Sequence, residues 1–482
     1  MTKAAKLDRN PVSTEAIARL KAAVGAGGYL DQAGDLESYC KSWRDDWAGE
    51  VPLLLRPKST AEVAEIIKIC AETGTAIVPQ GGNTGLTGAS QPHPDMTEVI
   101  LSTGRLKKIR SLDLANDTIT VEAGVILKDI QNAADSANRF FPLSLGAEGS
   151  CQIGGNISTN AGGVNVLRYG NTRALVLGLE VVLADGRIWD GLRSLRKDNT
   201  GYDMKQLFIA GEGTLGMVTA AVLRLFPKPT ARETAWIAVD NPAMGVALLG
   251  HMRATLGDAV SAFELISRQI VDFLLAGVPG HHDPLSEAHP WYVLTDVTGQ
   301  GAHGSLAEPL SEALADAMEK GLVRDAVVAG SGAQGLKLWK MREDMAEAQA
   351  RAGGSIGHDI SVPLSRIAEF VARTDAAVAK AYPGCRPSTF GHVGDGNLHY
   401  NLVRPRDWDA TRFKAERAQI NRIVHDIVAD LGGSISAEHG IGRLRLAENM
   451  HYKSAVEIDL MRSIKRALDP QGIFNPGKVV EM

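Results

Sequence analysis

The residues best suited to chemistry in this chain are two histidines, His392 and His399, inside the stretch Gly391–Asn401. Two imidazoles can grip one divalent ion if a tight turn brings them together. Asp395-Gly396 supplies a candidate turn, because an Asp-Gly pair favours the two-residue type I′ hairpin loop. Counting outward from that loop sets Gly394 opposite Asn397, Val393 opposite Leu398 and His392 opposite His399. Cβ atoms so paired stand about 4.5–5.5 Å apart. Asn401 falls opposite Phe390 on the same face. A third ligand is expected from Ser436-Ala437-Glu438-His439-Gly440, where Glu438 would complete a His₂Glu set with open positions. His439 is then left to act as a general base, since neutral imidazole titrates near neutral pH. Histidines in a hairpin also serve simply to satisfy hydrogen bonds, so the pair alone does not decide function.

Three glycine clusters carry the second constellation. Pro79-Gln80-Gly81-Gly82-Asn83-Thr84-Gly85-Leu86-Thr87-Gly88 follows an expected strand. Gly146-Ala147-Glu148-Gly149-Ser150 leads into Ile153-Gly154-Gly155-Asn156-Ile157-Ser158-Thr159-Asn160-Ala161-Gly162-Gly163. Gly211-Glu212-Gly213-Thr214-Leu215-Gly216-Met217-Val218 closes the N-terminal half. Backbone N–H groups in such loops can converge on an anion, because glycine permits the φ values this requires. No G-K-[ST] follows, which excludes a Walker A loop. The absence of G-x-G-x-x-G disfavours a Rossmann nicotinamide site. Three clusters interleaved with Ser, Thr and Asn donors suit a long ligand with phosphates and a planar ring.

The stretches 79–88, Pro142–Gly170 and Gly201–Thr219 together resemble the FAD-binding domain of the vanillyl-alcohol oxidase superfamily. The resemblance implies that the first loop wraps the pyrophosphate and the others line the adenosine and isoalloxazine parts. The implied cofactor residues are Pro79, Gly81, Gly82, Asn83, Thr84, Gly85, Leu86, Gly146, Gly149, Ser150, Ile153, Gly154, Gly155, Ser158, Thr159, Asn160, Gly162, Gly163, Glu212, Gly213, Gly216, Val218 and Asn475. Some members attach FAD through a His in the first loop, where this chain has Asn83, so a non-covalent flavin is expected.

Gly391–Asn401, Ser436–Gly442 and Asn475-Pro476-Gly477-Lys478 are similar to the D-2-hydroxyglutarate and D-lactate dehydrogenase branch of that superfamily. The likeness extends over nearly the whole chain. It implies that His392, His399 and Glu438 hold Zn²⁺ or a similar divalent metal, and that His439 is the base. Arg342 would take the substrate carboxylate, for which a fork-shaped guanidinium is suited, and Asn401 would add a hydrogen bond. The implied reaction is FAD-dependent oxidation of a small D-2-hydroxy acid of the D-2-hydroxyglutarate, D-lactate or D-malate type. Electrons would pass to an external acceptor, namely an electron-transfer flavoprotein, a quinone or an iron–sulfur partner. Two positions depart from the hydroxyglutarate pattern: Ala346 and Gly357 stand where close relatives place a Thr and a Lys. Losing those contacts should weaken binding of a second carboxylate unless His358, beside the gap, or another residue substitutes.

The elements that must position these groups read as α+β. Ser59 and Glu62 signal a capping-box start to a helix over about 60–72, between expected strands Val51–Leu55 and Ala76–Val78. Further strands fit Glu98–Leu101, Thr118–Val121 and Gly178–Leu183, with an amphipathic helix from Leu127 to about Ala137. This pattern implies an α/β-type FAD-binding domain over 1–228, an α+β cap over 229–435, and a segment 436–482 returning to the first domain. With 482 residues and a formal charge of −5, a multidomain soluble protein is expected and a nucleic-acid surface is not. Cys40, Cys70, Cys151 and Cys385 form no C-x-x-C pair, which argues against a cluster and for a reducing compartment. The polar lead Met1–Ser13 has no apolar core and no run reaches membrane-spanning length, so a cytoplasmic enzyme is expected. A homodimer is the default expectation. Rival readings are a non-redox FAD-dependent transferase like the ether-lipid synthases, a metal-dependent hydrolase, and a subunit that holds FAD without turnover.

Overall fold

The computed structural model describes residues 9–42, 48–302 and 304–482. The first part of the polar lead, read above for a signal sequence, lies outside them. Two compact units emerge. One comprises residues up to Gly162, Asn171–Pro227 and Glu438 onward; the other comprises Gly163–Gly170 and Lys228–Ala437.

The first unit contains a small sheet in the order Tyr29–Leu30, Leu54–Leu55, Glu98–Ser102, Ala76–Gln80, whose last three strands run parallel. The helix Thr60–Thr73 joins two of them. Ser59 starts it by accepting from Glu62 N at 3.2 Å, and Gly74 ends it at φ 65°. The reciprocal capping bond differs from expectation, since the Glu62 carboxylate accepts from Lys58 N at 2.8 Å. Val63, Ile66, Ile67 and Cys70 bury one face of this helix against Ile77, Val99 and Leu101. The expected strand Val51–Leu55 is ordered as a strand only at Leu54–Leu55. A second, wholly antiparallel sheet runs Ile109–Asp113, Thr118–Glu122, Met217–Arg224, Val176–Val182, Ile188–Gly191. Parallel and antiparallel parts together make the α+β class expected.

The end of the chain is stitched into this unit. Ile77 N donates to Ile473 O at 2.7 Å and Asn475 N donates to Ile77 O at 2.8 Å. Two buried lysines tighten the seam. Lys465 Nζ reaches Thr214 O, Phe474 O and Asp469, while Lys478 Nζ reaches Ala89 O, Gln91 O and Asn475 Oδ1. An ammonium has three donors and no acceptor, so three acceptors satisfy each.

The second unit is a seven-stranded antiparallel sheet in the order Asp325–Val328, Ala231–Val239, Trp291–Gly299, Val260–Ser267, Arg386–Gly391, Asn397–Val403, Ser355–Ser361. Alternation along each strand separates two faces. Leu265 and Val293 meet Gly245 of the helix Pro242–Leu256. Ile266, Leu294 and Phe390 pack instead with Leu338, Trp339, Met341 and Met345 from the helices Gly332–Glu343 and Met345–Arg351. Ser331 caps the first of these helices, and Trp339 Nε1 donates to buried Asp296 at 2.9 Å.

Candidate active site

In the first unit, the glycine clusters surround one cleft. It is lined by Pro79, Gln80, Gly81, Ala89, Ser90, Thr103, Gly154, Gly155, Ser158, Thr159, Glu212, Gly213, Gly216, Met217 and Val218. Ten of these belong to the expected cofactor set, so residues of all three clusters line one cleft. Gln80, Ala89, Ser90, Thr103 and Met217 were missed; Gln80 follows Pro79 directly and could have been included on that ground. Some of the remaining expected residues pack on or bond to these loops. A Cβ on Gly82 would sit 2.1 Å from Ser150 O, so the first loop packs directly on the second. The Asn83 side chain donates to Ser38 O and Lys41 O and accepts from Ser90 Oγ and Gln91 Nε2, all at 2.6–3.2 Å. Asn160 Oδ1 accepts from Arg173 N at 2.9 Å, and Asn475 Nδ2 donates to Ala89 O and Glu212 O. Asn83, Asn160, Glu212 and Asn475 all take positive φ, a costly state that persists where surroundings impose it. Thr84, Gly85, Leu86, Gly146, Gly149, Ser150, Ile153 and Gly162 lie outside the lining, and Gly163 begins the short segment grouped with the second unit.

In the second unit, the expected two-residue hairpin is corrected. Val393–Asp395 form a 3₁₀ turn, and His399 pairs with Phe390, Asn401 with Ser388. The loop is longer because it makes its own contacts: Val362 N donates to Gly396 O at 3.1 Å, and Gly394 packs on Leu167. The slip of two residues keeps face parity, since side chains alternate with period two. His392 therefore leaves the ladder, yet its ring stands 5.6 Å from that of His399 at an interplanar angle of 80°.

Glu264, fully buried on the strand Val260–Ser267, ties the site together. Arg342 Nε donates to one carboxylate oxygen at 2.5 Å, and His392 Nδ1 meets the other. Burial pushes the Glu264 carboxyl up, but Arg342 and His392 outweigh it and hold it at about 2. The Arg342 guanidinium also lies over the Phe390 ring, 4.5 Å from its centroid. On the far side, Asp359 is the cross-strand partner of His399, and their side chains approach to 3.9 Å. Glu264 and Asp359 were not singled out from the sequence. An isolated carboxylate in the apolar run Val260–Ser267 is the signal that could have found the first.

Asn401 is held by Gln349, which accepts from its Nδ2 at 3.0 Å, and by His358 N, which donates to its Oδ1 at 3.2 Å. Gly357 lies opposite Asn401, and a Cβ there would stand 3.0 Å from Asn401 Oδ1. His358 does not fill that gap. It points to the other face, with Nδ1 2.8 Å from Tyr400 O and its ring against His425. Glu438 and His439 belong to the first unit, where Glu438 Oε1 takes the space a Cβ on Gly162 would need and Thr87 Oγ donates to His439 O at 3.3 Å.

The fold has solved counterparts. A p-cresol methylhydroxylase matches at TM-score 0.75 with 17% identity, covering 96% of both chains. An alkyldihydroxyacetonephosphate synthase matches at 0.73 with 16% identity, over 98% of this chain and 87% of that one. At such identities the likeness is one of fold. Residues 51–191 match the model of an FAD binding domain, and residues 228–479 match the FAD linked oxidases, C-terminal domain. The mitochondrial D-2-hydroxyglutarate dehydrogenase of Arabidopsis thaliana is 38% identical over 481 residues, covering 99% of this chain and 84% of that protein. The D-2-hydroxyglutarate dehydrogenase of Xanthomonas citri pv. viticola is 38% identical over 466 residues, 96% of this chain and 97% of that protein. The chain belongs to the FAD-linked oxidase family, and it is an FAD-dependent D-2-hydroxy-acid dehydrogenase.

The expected cytoplasmic location is corrected by these comparisons. Relatives from Arabidopsis thaliana and Bos taurus are named mitochondrial, which points to mitochondria rather than cytoplasm, while the Xanthomonas relative carries no such word. Among the described residues, no helix is long and apolar enough to cross a membrane.

Proposed function

We propose that the chain oxidises the C2 alcohol of a D-2-hydroxy acid at the face bearing His399, with Arg342 binding the carboxylate and His439 taking the hydroxyl proton. The observation that carries this reading is the buried Glu264, which holds both Arg342 and His392. With Nε committed to Glu264, the guanidinium keeps its paired Nη donors for a carboxylate. With Nδ1 committed to the same carboxylate, His392 offers Nε2 as a ligand atom, the usual arrangement behind a metal-binding imidazole.

The donor set fits a divalent ion. Ala437 N donates to Asp359 O at 3.2 Å, and Asp359 is paired with His399. Two imidazoles and a carboxylate are the donor types such an ion takes. The cleft of the first unit fits FAD, having backbone donors, Ser and Thr hydroxyls and no bulky side chain in its glycine floor. Bound FAD supplies the two-electron acceptor, and a divalent ion on His392, His399 and Glu438 supplies polarisation of the hydroxyl. Asn401, fixed by Gln349 and His358 N, positions its neighbours on the substrate face. Electrons then leave to an external acceptor, an electron-transfer flavoprotein, quinone or iron–sulfur partner.

Gly357 and Ala346 leave no cation or hydroxyl for a second carboxylate, and His358 faces away. The reading therefore favours a monocarboxylic substrate of the D-lactate type over D-2-hydroxyglutarate. An anaerobic flavin spectrum titrated with D- and L-lactate, malate and 2-hydroxyglutarate tests both parts. Bleaching by D-lactate at the lowest concentration supports them. Stronger bleaching by D-2-hydroxyglutarate overturns the substrate preference, and bleaching by no 2-hydroxy acid overturns the reaction. Exhaustive chelation should slow flavin reduction while leaving the flavin bound; undiminished turnover of metal-free enzyme would refute the polarising ion.

A further inference from the structure

We propose that Glu212 is a positioning residue that locks the loop carrying Glu438 and His439 to the flavin cleft, so that cleft occupancy and loop order favour each other. The inference rests on reading that cleft as the FAD site and that loop as the carrier of the base. All the residues it uses lie within the first unit.

Glu212 lines the cleft beside Ser158 and Gly213. Its backbone is pinned there, with N–H donating to Ser158 O at 2.8 Å, carbonyl accepting from Asn475 Nδ2 at 2.7 Å, and φ at 48°. The side chain is buried. One carboxylate oxygen accepts from Ile441 N at 2.7 Å and the other from Gly442 N at 2.8 Å. Successive N–H groups converging on one anion form a nest, here closed by a carboxylate of the chain itself.

The loop has the shape this contact requires. Gly440 sits at φ 81°, and a Cβ on it would stand 2.7 Å from Glu212 Oε1. Gly442 sits at φ 51°, where a Cβ would meet Thr87 O at 2.3 Å. Thr87, from the first glycine cluster, holds the loop from its other side, its carbonyl accepting from Arg443 N and Leu444 N at 3.0 and 3.1 Å. The Glu438–Gly442 loop is thus clasped by two residues belonging to two cofactor loops. His439 immediately precedes the glycine that Glu212 crowds. Binding that orders the cleft loops must order this one too, and the coupling is reciprocal.

Glu212→Gln is the discriminating change. An amide retains one acceptor but turns its NH₂ toward the second N–H, so one buried donor loses its partner. Hydrogen exchange of residues 438–445 is measured in apo and FAD-loaded protein, alongside anaerobic flavin reduction per bound flavin. In the wild type, FAD is expected to slow exchange at Ile441 and Gly442 by about tenfold, a typical coupling, and Glu212→Gln to abolish most of that difference. Flavin reduction per bound flavin should fall roughly 10–100-fold with KM changed little, the pattern of a misplaced base. A role confined to stability would lower holoenzyme yield and leave turnover per flavin intact, which would overturn the proposal. Loop exchange indifferent to FAD in the wild type would overturn it as well, and needs no variant to fold. Glu212→Asp, too short to reach both amides, gives the same test if the Gln variant misfolds. If no 2-hydroxy acid reduces the wild-type flavin, the dehydrogenase reading fails while the exchange measurement still decides the role of Glu212.

Discussion

The glycine-lined cleft and the His399 face of the seven-stranded sheet are built on opposite principles. The cleft is shaped by backbone, with its loops packed so closely that methyl groups would collide, as at Gly82 against Ser150 O. Its framing charges, Lys465 and Lys478, are spent on carbonyls and on the chain's own side chains. The sheet face is shaped by charge, with Glu264 between Arg342 and His392, and Asp359 beside His399. A long ligand with phosphates and a ring is held by many weak backbone contacts, whereas a small carboxylate must be seized by a few strong side chains. The first design fails chiefly on added volume; the second fails chiefly on lost charge.

The largest expected effect tests that contrast directly. Glu264→Ala strands a buried guanidinium, and breaking a buried pair from one side costs about 3–5 kcal/mol. Denaturation should show that loss together with collapse of substrate-driven flavin reduction; a cost below about 1 kcal/mol would mean water reaches the pair. Next, Arg342→Lys keeps the charge but loses the fork. A drop of roughly a hundredfold in kcat/KM is expected, with FAD content unchanged.

Two alanines then sharpen the picture of the cleft. Gly82→Ala should destabilise the fold by about 1–3 kcal/mol through overpacking and reduce flavin content. Gly155→Ala adds a methyl to a cleft-lining position with nothing within 4 Å. It should leave apo stability within about 1 kcal/mol yet weaken FAD binding, and equal FAD affinity would show that the ligand does not approach that floor.

A pH dependence arises at the buried seam of the first unit. Burial pushes the Lys478 ammonium down to about 7, against opposing carboxylates at Glu98 and Glu212. Its folded pKa then lies below the unfolded value of about 10.4. The unfolded chain binds more protons between those values, so this group makes stability rise with pH from about 7 toward 10. Urea midpoints at several pH values should show that slope in wild type and lose it in Lys478→Met.

Much of the cleft was legible because its loops are encoded locally. Gly81, Gly154, Gly155, Gly213 and Gly216 line it as their clustering suggested, and the cap at Ser59 and stop at Gly74 lie in adjacent residues. The sheet face was legible only as an inventory. His392 and His399 do come together, but through a 3₁₀ turn rather than the Asp395-Gly396 hairpin. Glu264 lies too far along the chain from both its partners for any spacing rule to pair them.

By itself, then, the sequence determined which residues can do chemistry, where glycine opens a loop, and which face of a strand His399 and Asn401 share. Face parity survives a two-residue slip because side chains alternate with period two. Only the tertiary structure decided the hairpin's register, the carboxylates standing behind Arg342 and beside His399, and the turning away of His358. Those outcomes depend on which neighbouring strand supplies the opposing residue and on where burial leaves a charge in need of a partner, and neither is written in local sequence.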